Sequence, residues 1–381
     1  MSSQEQIDYD IHGLVGIRLI NPSASDAAAV AGQLGPLRGP LSRQPDIVVR
    51  FVRQMPTRRL SFLGPNKHGF TDEGYFILRN CKQEARVRVA FDQIGKQCEM
   101  VCESGLQSVP LLMTILHLTA LKKDVVPLHA AAFVYKGTGV LLTGWAKGGK
   151  TGALLAFALQ GAEYVGDEWV LLRGDGQIMY GVPENINLGD WHLEHLPHVR
   201  RQVKRRKLLL FKGIHWLDRM QQWFRKGRLS RTFAVSLLRE VMPALRSRLN
   251  VSVSPQVIFP EGFRRLAAKP EKVFLLLSRQ DPSIDIQPSH PLLIARRMIS
   301  AIRYEQLPFM EHYLAFRFAF PDMRSEFVER ADELQYDILC RALAGKDAYT
   351  VGHPYPFSLR ELFERMRPFC ESPGNGAAAQ V

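Results

Sequence analysis

The eight residues 144–151 read Gly-Trp-Ala-Lys-Gly-Gly-Lys-Thr, the pattern G-x-x-x-x-G-K-T, and constrain the fold more than any other stretch. Glycines at 144 and 149 let the backbone turn tightly around an anion, because glycine reaches positive φ without steric cost. Amides of Gly144, Trp145, Ala146, Lys147, Gly148 and Gly149, with the first N–H groups of a following helix, then face a polyphosphate. Lys150 supplies a point charge for the β/γ-phosphates and Thr151 a hydroxyl for Mg²⁺. The flanks suit this role. Val140-Leu141-Leu142 predicts a buried strand entering the loop, and Ala153 to Leu159, rich in helix formers, predicts a helix leaving it, with Gly161 near its end.

Two more features belong to the same stretch. In Tyr164-Val165-Gly166-Asp167-Glu168-Trp169-Val170-Leu171-Leu172, adjacent carboxylates interrupt an apolar segment that predicts a strand. Buried charges are costly unless paired or metal-bound, and a Mg²⁺ shared with Thr151 would compensate Asp167 and Glu168. His129 is expected at the start of the strand leading to the loop.

His129 fifteen residues before Gly144, then the glycine loop, then Asp167 seventeen residues after Lys150, resembles the catalytic domain of bacterial HPr kinase/phosphorylase. The linking phrase from Tyr135 to Gly144 is also similar. The resemblance is close over about fifty residues. It implies a phosphate-loop core of the HPr kinase/phosphoenolpyruvate carboxykinase type, a mixed sheet flanked by helices. It further implies ATP-dependent, Mg²⁺-requiring phosphorylation of a serine, with His129 and Asp167 as the catalytic pair and Lys150 and Thr151 on the nucleotide. The chain departs from the family at Trp145, Ala146 and Lys147 in the loop and at Glu168, where the family has a second Asp. It also has no good copy of the downstream glycine-rich signature. It therefore looks like a diverged relative, a group whose acceptors vary between protein, peptide and small molecule.

At 381 residues, 46% of them hydrophobic, the chain is long enough for two or three domains. No apolar run approaches the ~20 residues of a membrane span. The start, Met-Ser-Ser-Gln-Glu-Gln, lacks signal-peptide regions. Five scattered cysteines complete no zinc pattern and suit reduced thiols in a cytoplasm.

The net charge of +13 is confined to one segment. Residues 200–248 hold fifteen Lys/Arg against two acids, Asp218 and Glu240, so the remainder is neutral. This segment has a helical look. It fits a solvated insertion, or a surface for an acidic partner or an anionic membrane. Nucleic acid is disfavoured, since no recognition signature accompanies the charge.

The sequence thus predicts an α/β chain in five parts. Residues 1–105 form a β-rich accessory domain, 106–194 the first part of a nucleotide-binding core, 195–255 a basic helical insertion, 256–370 the second part of the core, and 371–381 a disordered tail. Within the first part, residues 11–20 read as one strand, and a helix starts at Ser23 or Ser25 and closes at Gly32. Further helices are expected at 109–123, 291–302, 324–344 and 358–366. Glu184, Asn185 and Asp190 are loop acids and amides within sequence reach of a metal. The expected activity is an ATP-dependent phosphotransferase, with an ATP-binding scaffold module as the alternative and a homo-oligomer left open.

Overall fold

Short alternating segments near the N-terminus assemble into one eight-stranded sheet. Its strands are β1 Gln6–Ile11, β2 Val15–Ile20, β3 Ile47–Val52, β4 Ser61–Leu63, β5 His68–Thr71, β6 Gly74–Asn80, β7 Gln83–Val89 and β8 Cys98–Glu103, in the order β1-β2-β3-β8-β7-β6-β5-β4. The computed structural model describes residues 5–55, 59–64, 67–80, 83–225, 242 and 249–371. The stretch expected as one strand over 11–20 is instead a hairpin. His12 and Gly13 take left-handed φ of 54° and 72°, and the chain folds back so that Ile11 faces Val15. Helix α1, Ala24–Leu34, connects β2 to its parallel neighbour β3, as a parallel crossover requires. Ser23 caps it in a reciprocal box with Asp26, and it runs past Gly32 to close at Gly35, φ 62°.

The second sheet has six strands in the order β12-β10-β11-β18-β20-β19. They are β10 Ala131–Tyr135, β11 Thr138–Gly144, β12 Glu163–Gly166, β18 Lys272–Ser278, β19 Asp285–Pro288 and β20 Asp347–His353. At its centre β11, β18 and β20 run parallel, and Val273 to Leu276 of β18 are buried throughout. Burial on both faces explains the unbroken apolar run. Lys272 is also enclosed there, neutralised by Asp347 at 2.7 Å. A third sheet orders β17 Ala267–Ala268, β14 Met179–Gly181, β13 Trp169–Arg173 and β9 Val125–His129.

Helix α2, Leu112–Leu121, falls inside the expected 109–123. The helix expected to stop at 302 continues as a single Pro291–Ala319 element with Pro308 inside it. Ile302, Phe309, Tyr313 and Phe316 bury one flank of it, and that packing outweighs the break a proline predicts. The stretch 324–344 divides into a turn, Glu326–Glu329, and a helix, Ala331–Leu343. The last helix, Leu359–Glu371, begins after Ser358, which accepts the Glu361 amide.

The chain divides into two compact units, one of residues 1–184 with 261–381 and one of Asn185–Pro260. In the first, a single hydrophobic core runs from Ile7 and Ile17 through Leu141 and Val170 to Leu343. The segments expected as separate domains on either side of residue 105 therefore share one interior. The second unit holds the pair β15 Ile186–Gly189 and β16 Asn250–Val253, and the helix Arg205–Arg225. That helix buries Phe211 and Ile214 and exposes Leu209 and Trp216. Of the basic segment, residues 226–241 and 243–248 lie outside the described residues, as does 372–381 of the tail. No described helix is long and apolar enough to cross a membrane.

Candidate functional site

The loop 144–149 leaves the C-terminal end of β11 beside β18 and leads straight into helix α3, Lys150–Ala158. Its glycines are there for space as well as conformation. Gly144 has φ 149° and Gly149 φ 95°. A Cβ on Gly144 would stand 2.8 Å from the Leu276 carbonyl oxygen, and one on Gly149 2.9 Å from the His353 ring. His353, fully enclosed, sets Nε2 3.1 Å from the Gly148 carbonyl and braces the loop from β20. Lys150 is buried and its ammonium donates to the carbonyls of Gly144 at 3.3 Å and Trp145 at 3.0 Å. Burial pushes its pKa down, against the pull of Asp167, Glu168 and Glu305. Ala146 and Lys147 form the outer turn, Lys147 at φ 60°.

The acidic pair does not lie in mid-strand. The predicted strand 164–172 is broken into β12 and β13, which belong to different sheets, and Asp167-Glu168 is the junction. Two adjacent residues of a regular strand point to opposite faces. Here Glu168 takes φ 67°, which breaks that alternation, and both carboxylates lie within electrostatic reach of Lys150. Asp167 is buried and accepts from the Thr151 hydroxyl at 3.0 Å. Burial, then the neighbouring charge of Glu168, pushes its pKa up to about 7.

His129 closes β9 rather than opening the strand to the loop; β10 and β11 intervene as a hairpin. Nor does it meet Asp167. Its Nε2 lies 2.9 Å from Glu168 Oε2 and its Nδ1 2.8 Å from Glu305 Oε1. Burial disfavours the imidazolium, but the two carboxylates outweigh it and raise the pKa. The bond to His129 in turn holds Glu168 below the usual carboxylate range. His129 sits between two acids, which favour its protonated form.

Glu305 comes from the Pro291–Ala319 helix, and the sequence gives no sign of it. His353 and Tyr304, whose ring centroid lies 4.9 Å from that of Trp145, were equally invisible. Glu184 joins the site from its loop. Burial, then Glu168 and Asp167, raises its pKa to about 8, and its Oε1 is enclosed without a hydrogen-bond partner among the described residues. Asn185 and Asp190 fall in the second unit, where Asp190 is engaged by His215. Arg264 spends its Nε on the Glu261 carbonyl, and Lys269 lies beside Gly139, at the far end of β11 from the loop.

Asp167, Glu168 and Glu184 repel one another electrostatically and, with the Thr151 hydroxyl, are hard-oxygen groups of the kind Mg²⁺ takes. Among the described residues no three His, Cys, Asp or Glu side chains are gathered to chelate a metal by themselves. A cation here would also need oxygens of its ligand, as Mg²⁺ bound with phosphates does. No protein-family model and no curated protein matches this chain.

Proposed function

We propose that the chain is an ATP-dependent phosphotransferase with a phosphate-loop core, acting on a hydroxyl acceptor. The observation that carries this reading is one cluster: a positive-φ glycine loop at a helix N-terminus, a buried lysine folded onto it, and a Thr151–Asp167 contact at its base. Loop amides and Lys150 would hold the triphosphate, and Thr151, Asp167 and Glu168 would hold Mg²⁺. Bound Mg-ATP supplies the electrophilic terminal phosphorus. Asp167 accepts the proton of the acceptor hydroxyl. As the acceptor oxygen–phosphorus bond forms, the bond from phosphorus to the ADP oxygen breaks. Lys150 meets the charge that develops on the phosphate oxygens.

His129 is a positioning residue in this scheme. It fixes Glu168 and so the strained turn at the acidic pair. His129→Ala should lower transfer by about 10- to 100-fold, the usual effect of losing an orienting partner, with ATP affinity little changed. Unaltered kcat in this variant would remove the role. The reading as a whole is tested with γ-labelled ATP and a cell lysate: label on a protein, peptide or metabolite, absent with Lys150→Ala, is expected. Nucleotide binding with no transferred label would contradict it.

A further inference from the structure

The Pro291–Ala319 helix carries more than Glu305 to the site. Arg297, Tyr304 and Glu305 are seven and eight residues apart, and such steps return to one flank of an α-helix. Glu305 reaches His129 and Tyr304 lies against Trp145. Arg297 borders a cavity of about 300 Å³. Its walls are the loop residues Gly144 and Trp145, the apolar Leu275 and Leu277 of β18, and Met298 and Ser300 of the helix. Other arginines are matched, Arg279 by Asp285 and Arg303 by Asp332. Arg297 has no carboxylate within ion-pair distance among the described residues.

The cavity opens at one particular end of the loop. The Lys150 ammonium rests on the Gly144 and Trp145 carbonyls, and a loop lysine reaches the β/γ-phosphates. The cavity therefore adjoins the terminal phosphoryl group, where an acceptor must approach. Its volume is at the lower end for small-molecule sites. An apolar floor beside a solvent-accessible guanidinium with no ion-pair partner suits an amphipathic anion, since guanidinium binds carboxylate or phosphate in charge-assisted pairs.

We propose that this cavity is the acceptor site. It takes a small hydroxyl compound with an apolar or aromatic body and an anionic group. The anion meets Arg297, the body lies on Leu275, Leu277 and the Trp145 ring, and the hydroxyl faces the loop. This deepens the phosphotransfer reading and rests on it.

Three probes separate the features: 3-phenyllactate has body, hydroxyl and anion, 3-phenylpropane-1,2-diol lacks the anion, and glycerate lacks the body. Binding is followed by ligand-observed NMR on the full chain, with and without Mg-ATP, and Mg-ATP affinity is measured in the same samples. Phenyllactate should bind about tenfold or more tighter than either other probe. Arg297→Glu should cancel that preference, and Ser300→Trp, a change at an exposed wall residue, should block the cavity. Both variants should retain Mg-ATP binding. Equal binding of the three probes, or phenyllactate binding unchanged in both variants, overturns the proposal. Absence of Mg-ATP binding to the wild-type chain fells the phosphotransfer reading instead, while the nucleotide-free titration still decides the occupant of the cavity.

Discussion

Lys150→Ala is expected to lower phosphoryl transfer by about a thousandfold or more, the scale on which a preorganised charge contributes to a transition state. The lysine is enclosed, so its charge acts in a low-dielectric setting where it is strongest. It is also anchored by two loop carbonyls, so it needs little reorganisation when phosphates arrive. The variant should fold, because the loop keeps its brace from His353 and its turn between Trp145 and Gly148. Lys150→Arg should not rescue it, since a planar fork does not fit a point-charge position folded onto two carbonyls. The check is label transfer from ATP beside a melting curve. A folded Lys150→Ala protein with more than about a tenth of wild-type transfer would show that the loop does not serve a triphosphate.

Asp167→Asn should act in opposite directions on activity and stability. Transfer should fall about 10²- to 10⁴-fold through loss of the proton acceptor. Without nucleotide, however, the variant should be more stable than the wild type at pH 8. Burial raises the Asp167 carboxyl from 3.8 to about 7, so the folded state binds a proton that the unfolded state has already released. The stability due to this group is complete below pH 3.8 and is lost as pH rises through about 7, on the order of a few kcal/mol. Asparagine keeps a partner for Thr151 and removes that loss. Glu184, raised to about 8, leaves a residual slope above neutrality. Mg²⁺ should raise the wild-type melting temperature more than that of Asp167→Asn. Thermal unfolding between pH 5 and 9, with and without Mg²⁺, reads all of this, and identical pH profiles for the two proteins would refute the buried-charge account.

What the sequence disclosed and what it withheld divide along a physical line. The glycine loop, its lysine and its hydroxyl residue depend on consecutive residues with fixed conformational demands, and local chemistry announces them. The acids at 167 and 168 were also visible, because two charges in an apolar run are anomalous wherever they occur. Their placement was not: only the left-handed φ of Glu168 separates a mid-strand pair from a junction between sheets. That was invisible because Glu168 is not a glycine and carries no turn signal. His129 was found by spacing, but its partners were misassigned. Glu305 approaches from 176 positions away in the chain, on a helix expected to end at 302. Long-range register of this kind is decided by packing of Phe309, Tyr313 and Phe316 against the first sheet, which no local pattern encodes.

The long helix spans two neighbourhoods. Beyond Pro308, His312 packs against Tyr75 and His68, and Phe316 stacks on Phe91; before it, Glu305 and Tyr304 attend the loop. A proline withholds the amide that the carbonyl four residues earlier would accept, and that carbonyl belongs to Tyr304. The rod is therefore most pliant one turn past the acid it delivers, so a strain applied to the first sheet would be partly absorbed before it reached His129. Pro308→Ala, by restoring the missing rung, should slow amide hydrogen exchange over residues 304–311; unchanged exchange there would mean that the joint is no softer than the rest of the rod.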